Sequence, residues 1–283
     1  MSVLLKGAPA AAALDEKTIE KVSELKAKGI VPCLAILRVG GEEDALSYER
    51  GTVKRCEKLG IAVKSVVLPV DTTQKKLMES IDTLNRDGNV HGILLLSPLP
   101  ESLDEKAACA ALAPKKDVDG MSAASMAKIY SGAGDGYPTC AAASVMELLR
   151  YYGVELGGKR VAMLGRSLVI GRPTAMLLMQ ANATVTICHT KTRNAEELTR
   201  QADVVVAAVG KAESIGKEYF RPGQTVIDVG IHWSEEKQKL VGDVKFDEVE
   251  EIVSAITPVP GGVGSMTTAV LVSHVAEAAE SNG

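Results

Sequence analysis

Short apolar runs alternate with amphipathic segments along the first half of the chain. Continuous apolar stretches at residues 32–39 and 92–96 predict buried strands, and the alternation over residues 62–68 predicts a third strand. Apolar residues at helical spacing predict helices over residues 15–28, 47–59 and 74–87. Strands that alternate with helices in this way are typical of a parallel α/β architecture.

A second series of the same kind follows an irregular, turn-rich stretch at residues 115–138. We place a domain boundary in this stretch, because glycine-rich turns without hydrophobic periodicity are typical of linkers. After it, the pattern predicts a linking helix over residues 141–152 and buried strands over residues 159–164, 184–188, 204–208 and 225–229. A length of 283 residues is consistent with two such domains.

Composition mainly excludes classes of function. The formal net charge of −4 provides no basic excess for binding nucleic acid, and aromatic residues, at 3%, are too few for a base-stacking platform. No apolar run approaches the ~18 residues that a membrane span requires, and the first 14 residues lack the basic leader of a signal peptide. The five cysteines form no Cys-X-X-Cys or Cys/His pattern, so we expect no metal site and no disulfide framework, in a reducing cytoplasm.

One glycine-containing loop has the position expected of a phosphate-binding loop. The segment Gly165-Arg-Ser-Leu-Val-Ile-Gly171 follows a predicted strand and precedes a helix whose first turn contains Pro173. In this order a pyrophosphate lies against the helix N-terminus. We therefore predict a dinucleotide site at Gly165, Arg166 and Ser167. Ser167 stands where a G-x-G-x-x-G motif has its middle glycine, so a plain strand-to-helix turn remains an alternative.

The end of the next strand bears on the choice between NAD and NADP. The segment Cys188-His-Thr-Lys-Thr-Arg193 lacks the carboxylate that binds a ribose 2′-hydroxyl in NAD-specific sites. Thr190, Lys191 and Arg193, together with Arg166, can approach a 2′-phosphate instead. We expect NADP as cofactor, with NAD as the alternative. The basic residues of this segment are also compatible with a simple solvated loop that binds no phosphate. The four histidines share no metal-ligand spacing, and we expect structural or surface roles for His91, His189, His232 and His274.

Five segments occur together in one order: Tyr48 with Gly60-Ile61, Lys116-Asp-Val-Asp-Gly120, Gly165-Arg-Ser167, Val226-Ile-Asp-Val-Gly230 and Thr257-Pro-Val-Pro-Gly-Gly-Val-Gly-Ser-Met-Thr267. The set resembles the bifunctional methylenetetrahydrofolate dehydrogenase/cyclohydrolase family (FolD-type) over essentially the whole chain. The resemblance implies an α/β fold of two domains with a cleft between them. An N-terminal folate-binding domain would cover residues 1–140, a C-terminal Rossmann-type parallel sheet residues 141–266, and a helix at 267–283 would return to the first domain. It also implies a homodimer formed through the Rossmann domain.

The resemblance further implies two reactions. A hydride passes from 5,10-methylenetetrahydrofolate to NADP, and water then opens the 5,10-methenyl product to 10-formyltetrahydrofolate. Tyr48 would lie near the pterin ring and Asp119 would bind its amino end. The loop at Pro260, Gly261 and Gly262 would press on the folate, because glycine backbone allows close approach. Further cofactor contacts are expected at Gly210, Gly230 and Ile231.

Two positions depart from the family where the hydrolytic step is concerned. The family lysine four residues after Tyr48 is Thr52 here, and the family glutamine that supports this lysine is Leu96. Threonine does not titrate and leucine cannot form hydrogen bonds, whereas hydrolysis requires proton transfer. Hydride transfer depends mainly on positioning. The candidate catalytic positions are Tyr48, Thr52, Leu96 and Asp119. Because Thr52 and Leu96 cannot support proton transfer, we expect a dehydrogenase whose cyclohydrolase activity is weak or absent.

Three alternatives remain open. The enzyme is bifunctional if another group, such as Lys54, replaces the family lysine. A non-catalytic folate-binding relative is a second possibility. A different Rossmann dehydrogenase, of shikimate or amino-acid type, is a third, and it would be indifferent to tetrahydrofolate.

Overall fold

The structure is a computed structural model that describes residues 2–282, without the side chains of Asp44 and Asn282. The helices are α1 (Gly7–Ala27), α2 (Glu43–Leu59), α3 (Gln74–Arg86), α4 (Glu105–Ala110), α5 (Ala123–Ser131), α6 (Cys140–Tyr151), α7 (Gly171–Gln180), α8 (Ala195–Arg200), α9 (Phe246–Val249) and α10 (Thr267–Asn282). The strands are β1 (Val3–Leu4), β2 (Cys33–Val39), β3 (Ala62–Leu68), β4 (Gly92–Leu95), β5 (Arg160–Leu164), β6 (Thr184–Cys188), β7 (Val204–Ala207), β8 (Thr225–Asp228), β9 (His232–Ser234), β10 (Lys239–Val241) and β11 (Ala255–Ile256).

The described chain forms two compact units, each assembled from two separated segments. We call residues 2–12 and 141–267 the large-sheet unit, and residues 13–140 and 268–282 the small-sheet unit. The sequence had led us to count residues 1–140 together. Residues 2–12 instead belong with the large sheet, because Val3 and Leu4 pair in parallel with Ala255 and Ile256. Within the described residues, no helix combines the length and apolar character needed to cross a bilayer.

The small-sheet unit is built on three parallel strands in the order β3-β2-β4. The central strand β2 is fully buried over Leu34–Leu37, as its continuous apolar sequence predicts. Helix α2 packs against β3 and is capped by Gly60, whose positive φ of 75° allows its N–H to bond back to the Cys56 and Glu57 carbonyls. Helix α2 carries Tyr48 and Thr52, and Leu96 directly follows β4; these are three of the candidate catalytic positions.

The large-sheet unit contains six parallel strands in the order β1-β11-β8-β7-β5-β6. The chain runs from β5 to β6 on one side and then returns to β7 on the other side of β5. The direction of strand order therefore reverses at β5, and ligands of open parallel sheets bind outside the carboxyl ends of the strands at such a point. The predicted two-domain parallel α/β fold is confirmed.

Candidate functional site

A cavity of about 490 Å³ lies at the reversal point of the large sheet. Its walls come from the residues that follow β5, β6 and β7, including Gly165, Ser167, His189 and Val209. A volume in this range is typical of small-molecule sites. The cavity therefore occupies the place in the fold where a dinucleotide is expected.

The loop after β5 passes very close to its neighbours. Gly165 has a φ of 112°, and a Cβ atom at this position would overlap the carbonyl oxygen of Ala208. A Cβ at Gly171 would lie 2.5 Å from the Gly165 oxygen. The Ser167 Oγ accepts hydrogen bonds from the Ile170 N–H (3.1 Å) and the Gly171 N–H (3.3 Å), and α7 begins there. A narrow glycine loop and the positive end of a helix at one cavity fit a pyrophosphate group.

The basic residues predicted to favour NADP are only partly brought together. Arg166 and Thr190 line the cavity. Lys191 and Arg193 are exposed on the neighbouring turn and are not part of the cavity wall. This turn is closed by bonds from the His189 N–H to the Thr192 Oγ1 (2.9 Å) and from the Lys191 N–H to the His189 Nδ1 (3.1 Å). The structure therefore places one arginine and one hydroxyl at the cavity, with two further cations nearby in sequence.

A buried carboxylate that the sequence analysis missed holds the loop after β7. Asp243 is fully buried. It accepts hydrogen bonds from three successive backbone N–H groups, of Val209 (2.6 Å), Gly210 (3.1 Å) and Lys211 (3.0 Å). The His232 Nε2 lies 2.7 Å from its Oδ1. The only sequence signal for this role is an aspartate within the apolar segment 241–244, and the predicted contact Gly210 lies in the loop it holds.

A second cavity of about 250 Å³ in the same unit brings two groups of predicted residues together. Gly230 and Ile231, predicted to contact the cofactor, line it with Pro260, Gly261 and Gly262, predicted to contact the folate. The loop is compact, because a Cβ at Gly262 would lie 2.6 Å from the Pro258 oxygen.

The buried Asp228 anchors this region. Its carboxylate accepts bonds from the N–H groups of Gly230 (2.9 Å), Asp243 (3.1 Å) and Val244 (2.9 Å). Burial raises the pKa of Asp228 to about 7, opposed by these hydrogen bonds. The Thr257 hydroxyl accepts from the Asp228 N–H (2.7 Å), which connects the strand end to the loop that lines the second cavity.

In the small-sheet unit, Tyr48 and Thr52 lie one turn apart on the same face of α2. Thr52 is fully buried, and no hydrogen-bond partner for its hydroxyl occurs among the described residues. Leu96 is also buried and continues β4, since its N–H donates to the Leu37 carbonyl (3.0 Å). Lys54, considered as a substitute for the family lysine, has an exposed side chain.

Asp119 lies in a tight turn before α5. The neighbouring Asp117 is buried and accepts bonds from the N–H groups of Met121 (3.0 Å) and Ser122 (2.8 Å), which fixes the turn from the inside. Gly120 has a φ of 71° and lies against the backbone of residues 137–139. Burial raises the pKa of Asp119 to about 6, against the lowering effect of hydrogen bonds from the Cys140 thiol and backbone N–H.

Comparison with known proteins gives a consistent result across the chain. Residues 5–119 match the family profile "Tetrahydrofolate dehydrogenase/cyclohydrolase, catalytic domain", and residues 139–283 match the NAD(P)-binding domain of the same family. The bifunctional protein FolD of Carboxydothermus hydrogenoformans is 46% identical over 281 residues, which cover 99% of this chain and 98% of the relative.

Solved structures agree with this. The bifunctional FolD methylenetetrahydrofolate dehydrogenase/cyclohydrolase from Campylobacter jejuni has a TM-score of 0.95 at 38% identity, covering 99% of both chains. The Trypanosoma brucei FolD structure, complexed with NADP cofactor and inhibitor, has a TM-score of 0.90 at 34% identity and covers 99% of this chain and 98% of its own. These matches set aside the shikimate and amino-acid dehydrogenase alternative. The chain belongs to the tetrahydrofolate dehydrogenase/cyclohydrolase family.

Proposed function

We propose that this chain oxidises 5,10-methylenetetrahydrofolate to 5,10-methenyltetrahydrofolate with NADP as the hydride acceptor. The observation that carries the proposal is the cavity at the reversal point of the large sheet, with its glycine loop and helix N-terminus. Arg166 and Thr190 in its wall support NADP, and a relative of 34% identity is described with NADP.

When bound, the nicotinamide supplies hydride acceptance, and this chain's residues supply position. The Ser167 N–H at the start of the helix would hold the pyrophosphate, beside the narrow turn at Gly165, and Arg166 and Thr190 would receive the 2′-phosphate. Tyr48 stacks on the pterin, and Asp119 accepts hydrogen bonds from its amino end. Its carboxylate offers about four acceptor directions, of which the Cys140 thiol and N–H use two. Pro260, Gly261 and Gly262 form the glycine loop against the folate. Orientation of the two reactants is the main source of rate in a step that consumes no general base.

Hydrolysis of the methenyl product is the second activity that this family implies. A relative of 46% identity is named as bifunctional, and a solved structure of 38% identity is named for both activities, which supports the bifunctional alternative above a dehydrogenase-only enzyme. The residues at two positions nevertheless favour the dehydrogenase-only enzyme as a second candidate. The Thr52 hydroxyl is fully buried and cannot act as a titrating base, and Leu96 is an apolar side chain beside β4. Lys54 lies two residues along α2, about 200° around the helix from Thr52, and is exposed.

A paired assay on purified protein tests both readings. One arm follows NADPH formation from 5,10-methylenetetrahydrofolate, with NAD run in parallel. The other follows loss of 5,10-methenyltetrahydrofolate above the buffer rate. Reduction of NADP that does not depend on tetrahydrofolate, or none at all, would overturn the proposed oxidation.

The outcome of the second arm separates the two candidates. Accelerated loss of the methenyl compound supports the bifunctional enzyme, and Lys54→Gln then shows whether Lys54 is the substitute group. No acceleration supports the dehydrogenase-only enzyme. In that case the double variant Thr52→Lys with Leu96→Gln is expected to gain hydrolysis, and each single variant serves as its matched control.

We also propose a homodimer formed through the large-sheet unit and a reducing cytoplasmic location. Strand β6 is an edge of the large sheet and exposes Thr184, Thr186 and Ile187, and edge strands of this kind need cover. All five cysteines are free thiols, in keeping with a reducing compartment. Light scattering coupled to gel filtration tests the dimer, and a monomer at micromolar concentration would contradict it.

A further inference from the structure

The carbonyl oxygen of Val118, next to Asp119, is contacted by polar side chains from two other elements. The His274 Nδ1 on α10 lies 2.8 Å from it, and the Cys140 Sγ at the start of α6 lies 3.4 Å from it. A carbonyl only accepts, so the hydrogen of the His274 ring is on Nδ1. Two side chains from distant parts of the chain therefore hold the backbone immediately before Asp119.

Cys140 also contacts the Asp119 carboxyl directly. Its thiol and its backbone N–H both donate to that carboxyl. Cys140 is the first residue of α6, and the N–H groups of a first helical turn have no partner within the helix. The Asp119 carboxyl thus accepts from an N–H at the N-terminus of α6. This N–H and the thiol together occupy two of its acceptor directions.

Packing leaves little freedom for the Val118 backbone to move. A Cβ atom at Gly92 would lie 2.8 Å from the Val118 side chain and 3.1 Å from that of Val275 on α10. The His274 ring is buried, with its centroid 5.0 Å from the centroid of the Tyr137 ring. Both the His274 ring and the Val118 side chain are therefore closely packed.

The Cys140 thiol acts as a donor and not as a nucleophile. Burial and the Asp119 carboxylate raise the pKa of this thiol well above its usual range, so it keeps its hydrogen at neutral pH. Its contacts with the Val118 carbonyl and the Asp119 carboxyl lie in one turn, and its Sγ also lies 4.0 Å from the His274 Nδ1.

We propose that His274 and Cys140 are positioning residues for the Asp119 carboxylate, and that together they set the affinity for the folate substrate. This rests on the proposed function, in which Asp119 binds the pterin amino end. With two acceptor directions held by Cys140 and the backbone held by His274, the remaining directions of the carboxylate are aimed before substrate arrives. Preorganisation of this kind lowers the cost of binding.

Two pairs of variants test the proposal on the full-length enzyme. His274→Leu and Cys140→Ala remove the donors. His274→Asn places an amide N–H at the same distance along the side chain as Nδ1, and Cys140→Ser keeps a hydroxyl donor. We expect the first pair to raise KM for 5,10-methylenetetrahydrofolate by about tenfold or more with KM for NADP unchanged. The second pair should stay within about threefold of the wild type.

His91→Leu is the matched control. His91 is buried to the same extent as His274, in the same unit, but its Nδ1 accepts from the Cys33 N–H (3.2 Å) on β2. We expect it to lower the melting temperature without changing KM for the folate. If His274→Leu and Cys140→Ala behave like this control, with lower stability and unchanged folate KM, the positioning role is wrong. If His274→Leu does not fold, Cys140→Ala carries the same test.

A second readout separates this proposal from the proposed function. Carbon-13 NMR of the Asp119 carboxyl in the absence of substrate gives its titration midpoint in each variant. Removal of the Cys140 donor should move this midpoint upward, and Cys140→Ser should restore it. An inactive wild-type enzyme would overturn the proposed function alone, whereas an unmoved midpoint would overturn the positioning role.

Discussion

At the scale of single residues, the charge on Asp119 is expected to control folate binding. Burial raises the pKa of this carboxyl to about 6, so the acceptor form is lost as the pH falls through that value. Well below this pKa, KM for 5,10-methylenetetrahydrofolate should rise by about tenfold per pH unit, because the ionised fraction falls by that factor. KM for NADP, measured over the same range, should not follow this slope. Asp119→Asn should abolish the slope, and its persistence in that variant would assign it to another group.

The buried hydroxyl of Thr52, at the position where the family has a lysine, is expected to lower the free energy of unfolding. No partner for it occurs within residues 2–282, and an unpaired buried hydroxyl costs about 1–3 kcal/mol. Thr52→Val keeps the shape and removes the polar atom, so it should raise the free energy of unfolding by about 1 kcal/mol or more in urea titrations. NADP reduction should be unaffected.

Thr18 provides a matched control for this substitution. It is also a buried threonine on a helix of the small-sheet unit, but its hydroxyl donates to the Leu14 carbonyl at 2.9 Å. Thr18→Val loses that bond and is expected to be neutral or destabilising. Equal effects of the two substitutions would show that the Thr52 hydroxyl is satisfied in solution.

At the scale of elements, the loop after β7 depends on one carboxylate. Asp243 accepts from the N–H groups of residues 209–211 on one side and contacts the His232 ring on the other. In Asp243→Asn the amide NH₂ must face one of these donors, so the loop that lines the NADP cavity should shift. We expect the dissociation constant for NADPH to rise by about tenfold, since hydrogen bonds to charged groups contribute about 1.5–3 kcal/mol. Asp203→Asn is the control, because Asp203 accepts one backbone N–H, that of Arg160 at the start of β5 (3.0 Å), and is partly exposed. Unchanged NADPH binding in Asp243→Asn would show that this loop is held by its own backbone.

The elements that the sequence predicted well are those with long, unbroken periodicity. Strand β3 and strand β6 have the predicted bounds, and β2, β5, β7 and β8 differ from them by one residue at one end. Helix α1 begins at Gly7, eight residues before its predicted start, because the alanine-rich segment with Pro9 in its first turn lacks an amphipathic pattern. Helix α5 lies inside the stretch interpreted as irregular, where the Ser122 hydroxyl caps the helix by accepting from the Ser125 N–H (3.2 Å).

The candidate site was predictable only where a motif carried it. The loop at Gly165–Gly171 and the loop at Pro260–Gly262 both line cavities, and both have glycines whose added Cβ would clash. Asp243, His274 and Cys140 were missed, because each acts on a backbone group more than 20 residues away in sequence. No local pattern encodes such long-range contacts.

At the scale of the whole molecule, each unit includes one end of the chain. Strand β1 completes the large sheet beside β11, and α10 belongs to the small-sheet unit through His274, Val275 and Glu280. The apolar residues of α10 that are almost fully buried are Ala269, Val270, Leu271, Val272, Val275, Ala276, Ala278 and Ala279. The last segment of the chain therefore supplies buried apolar surface to the small-sheet unit, including the contact of Val275 with Gly92 in β4.

Deletion of residues 268–283 is expected to unfold the small-sheet unit and to spare the large one. The four buried Val and Leu side chains of α10 alone are worth about 6–12 kcal/mol, at about 1.5–3 kcal/mol each, which is comparable with the net stability of a domain, about 5–15 kcal/mol. The large-sheet unit keeps all its strands, so NADPH binding should persist while turnover of the folate is lost. Hydrogen exchange measures this directly, with protection lost over residues 33–95 and kept over residues 160–256. Deletion of residues 281–283 alone leaves the Lys21–Glu280 ion pair in place and should preserve activity. Full protection of residues 33–95 in the longer deletion would mean that the three-stranded sheet folds without α10.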